Sequence, residues 1–242
     1  MDRRVYDNMR AVEHAHWWFR ARRAILTDQI SALKLPLNAS ILEVGCGTGG
    51  NLEMFSQFGS VVGVEPDTES RSYAAENSGR AVLDGKLPDE LPVFEGKFDM
   101  IAALDVIEHL DDDTNSVAAL RGLLKPGGVF LTTVPAHPWL WSRHDELHHH
   151  KRRYRKAEYT ALIRDAGFEI EKASYFNSVL FPVIAVMRAL NFGEVFGRPD
   201  DAMPSRLVNS LLERAFASEA FLLRHTVLPF GISLLVVART KS

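Results

Sequence analysis

The chain has 242 residues, 46% of them hydrophobic, with a formal net charge of −3. That composition suits one domain with a sizeable core and argues against a general nucleic-acid binder. The one cysteine, Cys46, excludes an intramolecular disulfide and a thiolate metal site. With no apolar signal-type core at the start and no run of about 18 apolar residues, the expectation is a protein of the reducing cytoplasm without a membrane span.

In chain order, residues 1–38 read as an N-terminal helical lid. Strands are expected at 40–44, 60–65, 81–83, 98–104, 128–134, 168–175 and 232–238, alternating with helices that include 67–77, 115–124 and 157–166. Lys125-Pro126-Gly127-Gly128 reads as a turn and Gly167 as a helix stop. The expected fold is therefore α/β: a doubly wound, seven-stranded, mostly parallel sheet, with a cofactor-binding core over 39–176 and a last strand within 229–242. Residues 177–228 break the alternation and read as a helical insertion before that last strand. The apolar run 179–187 and the stripe Leu207, Leu211, Leu212, Phe216, Phe221, Leu222 and Leu223 have two readings. Either they form a cap buried on the sheet, or they line an apolar channel or rest peripherally on a membrane surface.

The first strand breaks into Gly45-Cys46-Gly47-Thr48-Gly49-Gly50, where glycines allow positive φ and close approach of a ligand to the backbone. The second strand ends in Glu65, placed to grip ribose hydroxyls. A glycine also stands five positions after Gly45, so spacing alone leaves a nicotinamide-dependent reductase open.

Four motifs in order resemble the class I S-adenosylmethionine-dependent methyltransferases. Glu43-x-Gly45-x-Gly47-x-Gly49 is similar to the family's first motif, and Val64-Glu65-Pro66-Asp67 to the second. Asp84-Gly85 resembles the position that meets the adenine amino group. Leu104-Asp105-Val106-Ile107-Glu108-His109-Leu110, followed by Leu124-Lys125-Pro126-Gly127-Gly128, is the most specific piece. The flanks, His16-Trp17-Trp18-Phe19-x-x-Arg22-Arg23 and residues 135–154, resemble a subgroup associated with sugar and lipid-linked glycan pathways. The resemblance implies S-adenosyl-L-methionine as cofactor, held by Arg22, Glu43, Gly45, Cys46, Gly47, Thr48, Gly49, Glu65, Pro66, Asp84, Gly85, Leu104, Asp105 and His109. It also implies a small-molecule or lipid- or glycan-linked acceptor that offers oxygen or nitrogen. A cofactor-binding subunit without catalysis is the alternative from another class.

Methyl transfer asks chiefly for alignment, and a base helps where the acceptor carries a proton. His137, just past the fifth strand, and His144, beside Asp145, are the candidates. Trp139 and Trp141 suit flat rings, while Arg152, Arg153 and Tyr154 form a basic segment fit for an anionic acceptor or a solvated loop. The run His148-His149-His150 is expected to hold no metal, because successive residues rarely face one ion.

Overall fold

The computed structural model describes residues 3–189 and 203–241. Seven strands, β1 (Ala39–Val44), β2 (Gly59–Val64), β3 (Ala81–Leu83), β4 (Phe98–Leu104), β5 (Leu124–Pro135), β6 (Phe168–Phe176) and β7 (Ser233–Thr240), form one sheet in the order β3-β2-β1-β4-β5-β7-β6. Pairings from β3 through β5 are parallel, and β7 slots antiparallel between β5 and β6. The order reverses between β1 and β4, so a crevice opens at their carboxyl ends, where such sheets bind ligands.

Side chains alternate across the pleat and feed a core on each face. Ile41, Met100, Leu131 and Leu235 point to one core, which also takes Ile25 and Leu26 of α2 (Trp17–Ser31) and Phe55 of α3 (Leu52–Ser56). Their neighbours Leu42, Ile101, Phe130 and Val236 point to the other, packed against Leu120 of α5 (Asp113–Gly122) and Ile163 of α7 (Lys156–Asp165). Local chemistry sets the helix ends. The Asp67 carboxylate accepts from Ser70 N at 2.8 Å to open α4 (Thr68–Ser78), and Gly79 closes it at φ 64°. Gly167, at φ 88°, follows α7.

Several boundaries moved, two of them with a visible local cause. β5 starts at Leu124, which pairs with Phe98 across an irregularity before Val129, so the expected turn lies within the strand. α5 starts earlier than its apolar pattern, because Asp112 caps it through Asn115 N.

The insertion contributes α8 (Phe181–Ala189), α9 (Arg206–Ala217) and α10 (Glu219–His225); its middle, residues 190–202, lies outside the described residues. Its apolar stripe divides into buried and exposed residues. Phe216 stacks on Phe176 and meets Trp17 edge-on, and Leu223 is buried with it. Leu207, Leu211 and Phe221 are each more than half exposed, as are Val183 and Val186 of α8. Among the described residues no helix is long and apolar enough to cross a membrane.

Candidate active site

The glycine loop follows β1 with Gly45, Gly47 and Gly49 at φ 67°, 55° and 84°. These conformations favour glycine, and two of the positions are crowded as well. A Cβ on Gly45 would sit 2.6 Å from Val106 Cγ2, and one on Gly49 would sit 2.9 Å from Ala74 Cβ. Cys46 turns its thiol beneath the loop toward Gly63, so it offers the crevice backbone only. α3 begins at Leu52, later than a glycine turn opening directly into a helix would give. Its N-cap, Asn51, makes no side-chain capping bond, because its Nδ2 donates to Glu43 Oε1 at 2.9 Å.

Three buried acids surround the loop. Glu43 is pushed up to about 8 by burial, against the opposing bond from Asn51, and its Oε2 makes no hydrogen bond. Glu65 is also raised by burial, although Oε2 accepts from Gly47 N at 2.8 Å and Oε1 from Asp67 N at 3.0 Å. Glu13, between α1 (Arg3–Val12) and α2, is raised by burial too; its Oε2 accepts from Thr48 Oγ1 at 2.6 Å, and its Oε1 makes no hydrogen bond and lies 3.6 Å from His14 Nε2. Sequence reasoning missed Glu13, which comes from far upstream.

α1 lies across this loop. Tyr6 donates to Glu65 Oε1 at 3.2 Å, and the Met9 methyl lies 3.7 Å from where a Gly47 Cβ would be. Arg3 bonds Asp67 and pairs with Glu69, while Arg10 reaches Glu69 and covers the Tyr73 ring. The first helix of residues 1–38 thus lies against the glycine loop and the residues that follow β2.

At the ends of β4 and β5, buried Arg22 donates to Thr133 Oγ1 and pairs with Asp105 Oδ2 at 2.7 Å, and it lies over the Trp18 ring. Asp105 adopts φ 57° beside Leu104, which is packed in the core. Arg22 Nε is buried and makes no hydrogen bond. A buried donor and the free oxygens of Glu13 and Glu43 are costly unless a ligand satisfies them. On the other side of the crevice, Arg71 donates to the Glu65 and Pro66 carbonyls and to Asp84 Oδ1 at 2.8 Å, tying the ends of β2 and β3 together. Gly85 is buried where a Cβ would strike Pro92.

Past β5 the expected acceptor residues divide. His137, at φ 60°, stacks on Tyr175 (5.0 Å between centroids, 2° between planes), with Trp139 and Phe181 tilted against it. Its Nε2 makes no hydrogen bond, and burial lowers its pKa against a bond to the Gly231 backbone. Trp139 and Trp141 are exposed.

In the basic segment, where an anion patch or a solvated loop is expected, Arg152 and Arg153 are engaged within the protein. Arg152 bonds Asp113 Oδ2 and the Leu110 and Asp111 carbonyls, and Tyr154 Oη donates to the same Asp113 oxygen at 2.7 Å. Arg153 is buried on Asp145 and the Ala136 carbonyl. Asp145 does not orient His144 either. Its Oδ1 bonds His150 Nδ1 at 2.8 Å and Arg153 Nε at 2.7 Å, and its Oδ2 accepts from Ser142 N at 2.8 Å. Burial would raise the Asp145 carboxyl, but these bonds outweigh it and hold it well below the usual range. His144 stacks instead on His148 at 4.1 Å, and His109 packs edge-on to His150. Burial, with His150 and His148 nearby, lowers His109 to about 3.

Residues 16–173 match a family described as a methyltransferase domain. A Mycolicibacterium smegmatis protein named a probable S-adenosylmethionine-dependent methyltransferase is 29% identical over 160 residues, covering 64% of this chain and 61% of its own length. A ubiquinone biosynthesis O-methyltransferase of Xanthomonas axonopodis is 26% identical, covering 65% of this chain and 77% of its own. Among solved structures, a chain from the complex described as that of the Haloferax volcanii Trm112 methyltransferase activator and "the putative methyltransferase" aligns with a TM-score of 0.60 at 20% identity, covering 96% of this chain and 93% of that one. A Haemonchus contortus phosphoethanolamine N-methyltransferase in complex with S-adenosyl-L-methionine aligns with 0.59 at 18%, covering 88% and 51%.

A reversed parallel sheet with a glycine loop and an acid at the end of its second strand defines a nucleotide-cofactor fold. This chain belongs to the class I S-adenosylmethionine-dependent methyltransferases, and the reductase alternative falls with that assignment.

Proposed function

We propose that the protein transfers a methyl group from S-adenosylmethionine to an oxygen of a small or lipid-linked acceptor. The observation that carries this is the set of unsatisfied buried groups, Arg22 Nε and the free oxygens of Glu13 and Glu43, around a glycine loop that ends against Glu65. When bound, the cofactor supplies a methyl on a cationic sulfur. Arg22 suits its carboxylate, Glu43 its ammonium and Glu65 its ribose diol.

Oxygen is favoured over nitrogen by the names of the Xanthomonas and Pseudomonas relatives, which are O-methyltransferases. His137 fits a hydroxyl acceptor, since its lowered pKa keeps Nε2 free to take the hydroxyl proton at neutral pH. Tyr175, Phe181 and Trp139 around it suit a flat or apolar acceptor body.

Calorimetry with S-adenosylmethionine and S-adenosylhomocysteine, and NADH as control, should show binding of the first two alone. Labelled methyl should then appear in a small-molecule or lipid fraction of cell extract. Cofactor binding with no transfer in any fraction would favour a second reading, a cofactor-binding chain acting through a partner. The Haloferax neighbour, solved with an activator, supports keeping that reading.

A further inference from the structure

Glu108 lies in a one-turn 3-10 helix, Ile107–His109, just after β4. It is fully buried, and neither carboxylate oxygen makes a hydrogen bond. Arg22 and Arg153 are spent elsewhere, on Thr133 and Asp105, and on Asp145 and the Ala136 carbonyl. A buried carboxyl without partners is expensive, and proteins keep one chiefly where a cation or a donor meets it.

Two imidazoles face this group. His150 Nε2 lies 3.9 Å from Glu108 Oε1, and His109 packs edge-on to His150 with ring centroids 4.7 Å apart. One atom from each of Glu108, His109 and His150 falls within 4.8 Å of the others. His149, at φ 56°, turns the chain there, and Lys151 N donates to the Glu108 carbonyl at 2.8 Å, so the two segments are fastened beside each other. Asp145 completes the pattern: it holds His150 Nδ1, which leaves Nε2 as the outward nitrogen. A carboxylate on the far nitrogen is the usual support of a metal-bound histidine.

We infer that Glu108, His109 and His150 form a binding site for one divalent transition-metal ion. Two imidazole nitrogens and one carboxylate oxygen suit zinc, manganese or iron better than magnesium or calcium, which favour all-oxygen shells. The ion neutralises the Glu108 carboxylate and joins the turn after β4 to the loop carrying His150. Of the triple histidine only His150 takes part, and the other ligands come from a distant stretch of sequence.

The test uses the full chain without an affinity tag, stripped with chelator and titrated with zinc or manganese, with magnesium as a separate arm. Calorimetry and elemental analysis after desalting should give one transition-metal ion per chain, with a raised melting temperature. Glu108→Gln and His109→Asn should each weaken binding at least tenfold, and His225→Ala, exposed at the end of α10, should leave it unchanged. Absence of one-to-one uptake in the wild-type chain overturns the site, and so does equal affinity in folded Glu108→Gln and His109→Asn chains. Binding of magnesium in preference to zinc and manganese overturns the assigned ion class.

Discussion

Around the glycine loop two of the three buried acids, Glu43 and Glu13, each carry an oxygen with no hydrogen bond, while Glu65 accepts from Gly47 N, Asp67 N and Tyr6. Past β5 the buried acid Asp145 is saturated by His150, Arg153 and Ser142. Burial raises the first set, whereas the bonds around Asp145 overcome burial and lower it. An under-bonded acid costs folding energy that a cationic ligand can recover, while a saturated acid holds neighbouring segments in place. The first arrangement suits the proposed binding role and the second a structural one.

The comparison breaks most visibly at Asp145. Asp145→Ala strands the Arg153 charge in the interior and should cost about 3–5 kcal/mol of stability in urea unfolding while leaving cofactor affinity in the folded fraction intact. Loss of cofactor binding at full stability would place Asp145 with the binding acids instead. Glu65→Ala should act on binding as well as on stability, since Gly47 N and Asp67 N lose their acceptor. Calorimetry on the folded chain should show affinity for S-adenosylmethionine lowered by roughly 1.5–3 kcal/mol; unchanged affinity would remove Glu65 from the ribose site.

Glu43 sharpens the contrast through pH. Its carboxyl sits at about 8 in the free protein, against an ordinary 4.5, so at pH 7 it holds a proton that an incoming ammonium must expel. Cofactor affinity should therefore rise as pH climbs from 6 to 8, by up to about 1.4 kcal/mol per pH unit. Binding heats should also differ between buffers of high and low ionisation enthalpy. The sign for folding is opposite: the protonated, folded form is favoured below 4.5, and that contribution is lost as pH rises from 4.5 to 8. Heats independent of buffer would mean Glu43 meets no cation. Tyr6→Phe should have the smallest effect. Freeing Glu65 Oε1 from the Tyr6 hydroxyl should tighten cofactor binding by about 0.5–1.5 kcal/mol, and weaker binding would show that Tyr6 assists the ligand rather than competing with it.

The same contrast explains what could be read from the sequence. Gly45 through Gly49, Glu65 and the Asp67 cap lie in one continuous stretch whose strand periods and glycine positions are local features. The bonds of Tyr6 to Glu65, Thr48 to Glu13 and Arg22 to Asp105 join residues far apart along the chain, and nothing in local pattern encodes them. The basic stretch 151–155 misled for the same reason. Composition shows positive charge, but only the fold shows Asp113, Asp145 and backbone carbonyls already using it. Asp145 next to His144 suggested a pair, yet the helix turn carries Asp145 toward His150 five residues on.

Cys46, the chain's one thiol, lies beneath the glycine loop with its sulfur against the space that Gly63 leaves empty. An alkylating reagent can reach it only when the loop lifts away from β2. The rate of alkylation under native conditions therefore clocks the opening of the cofactor loop without any introduced label. Any ligand that pins the loop should slow that clock in proportion to its occupancy, whether or not it is ever turned over.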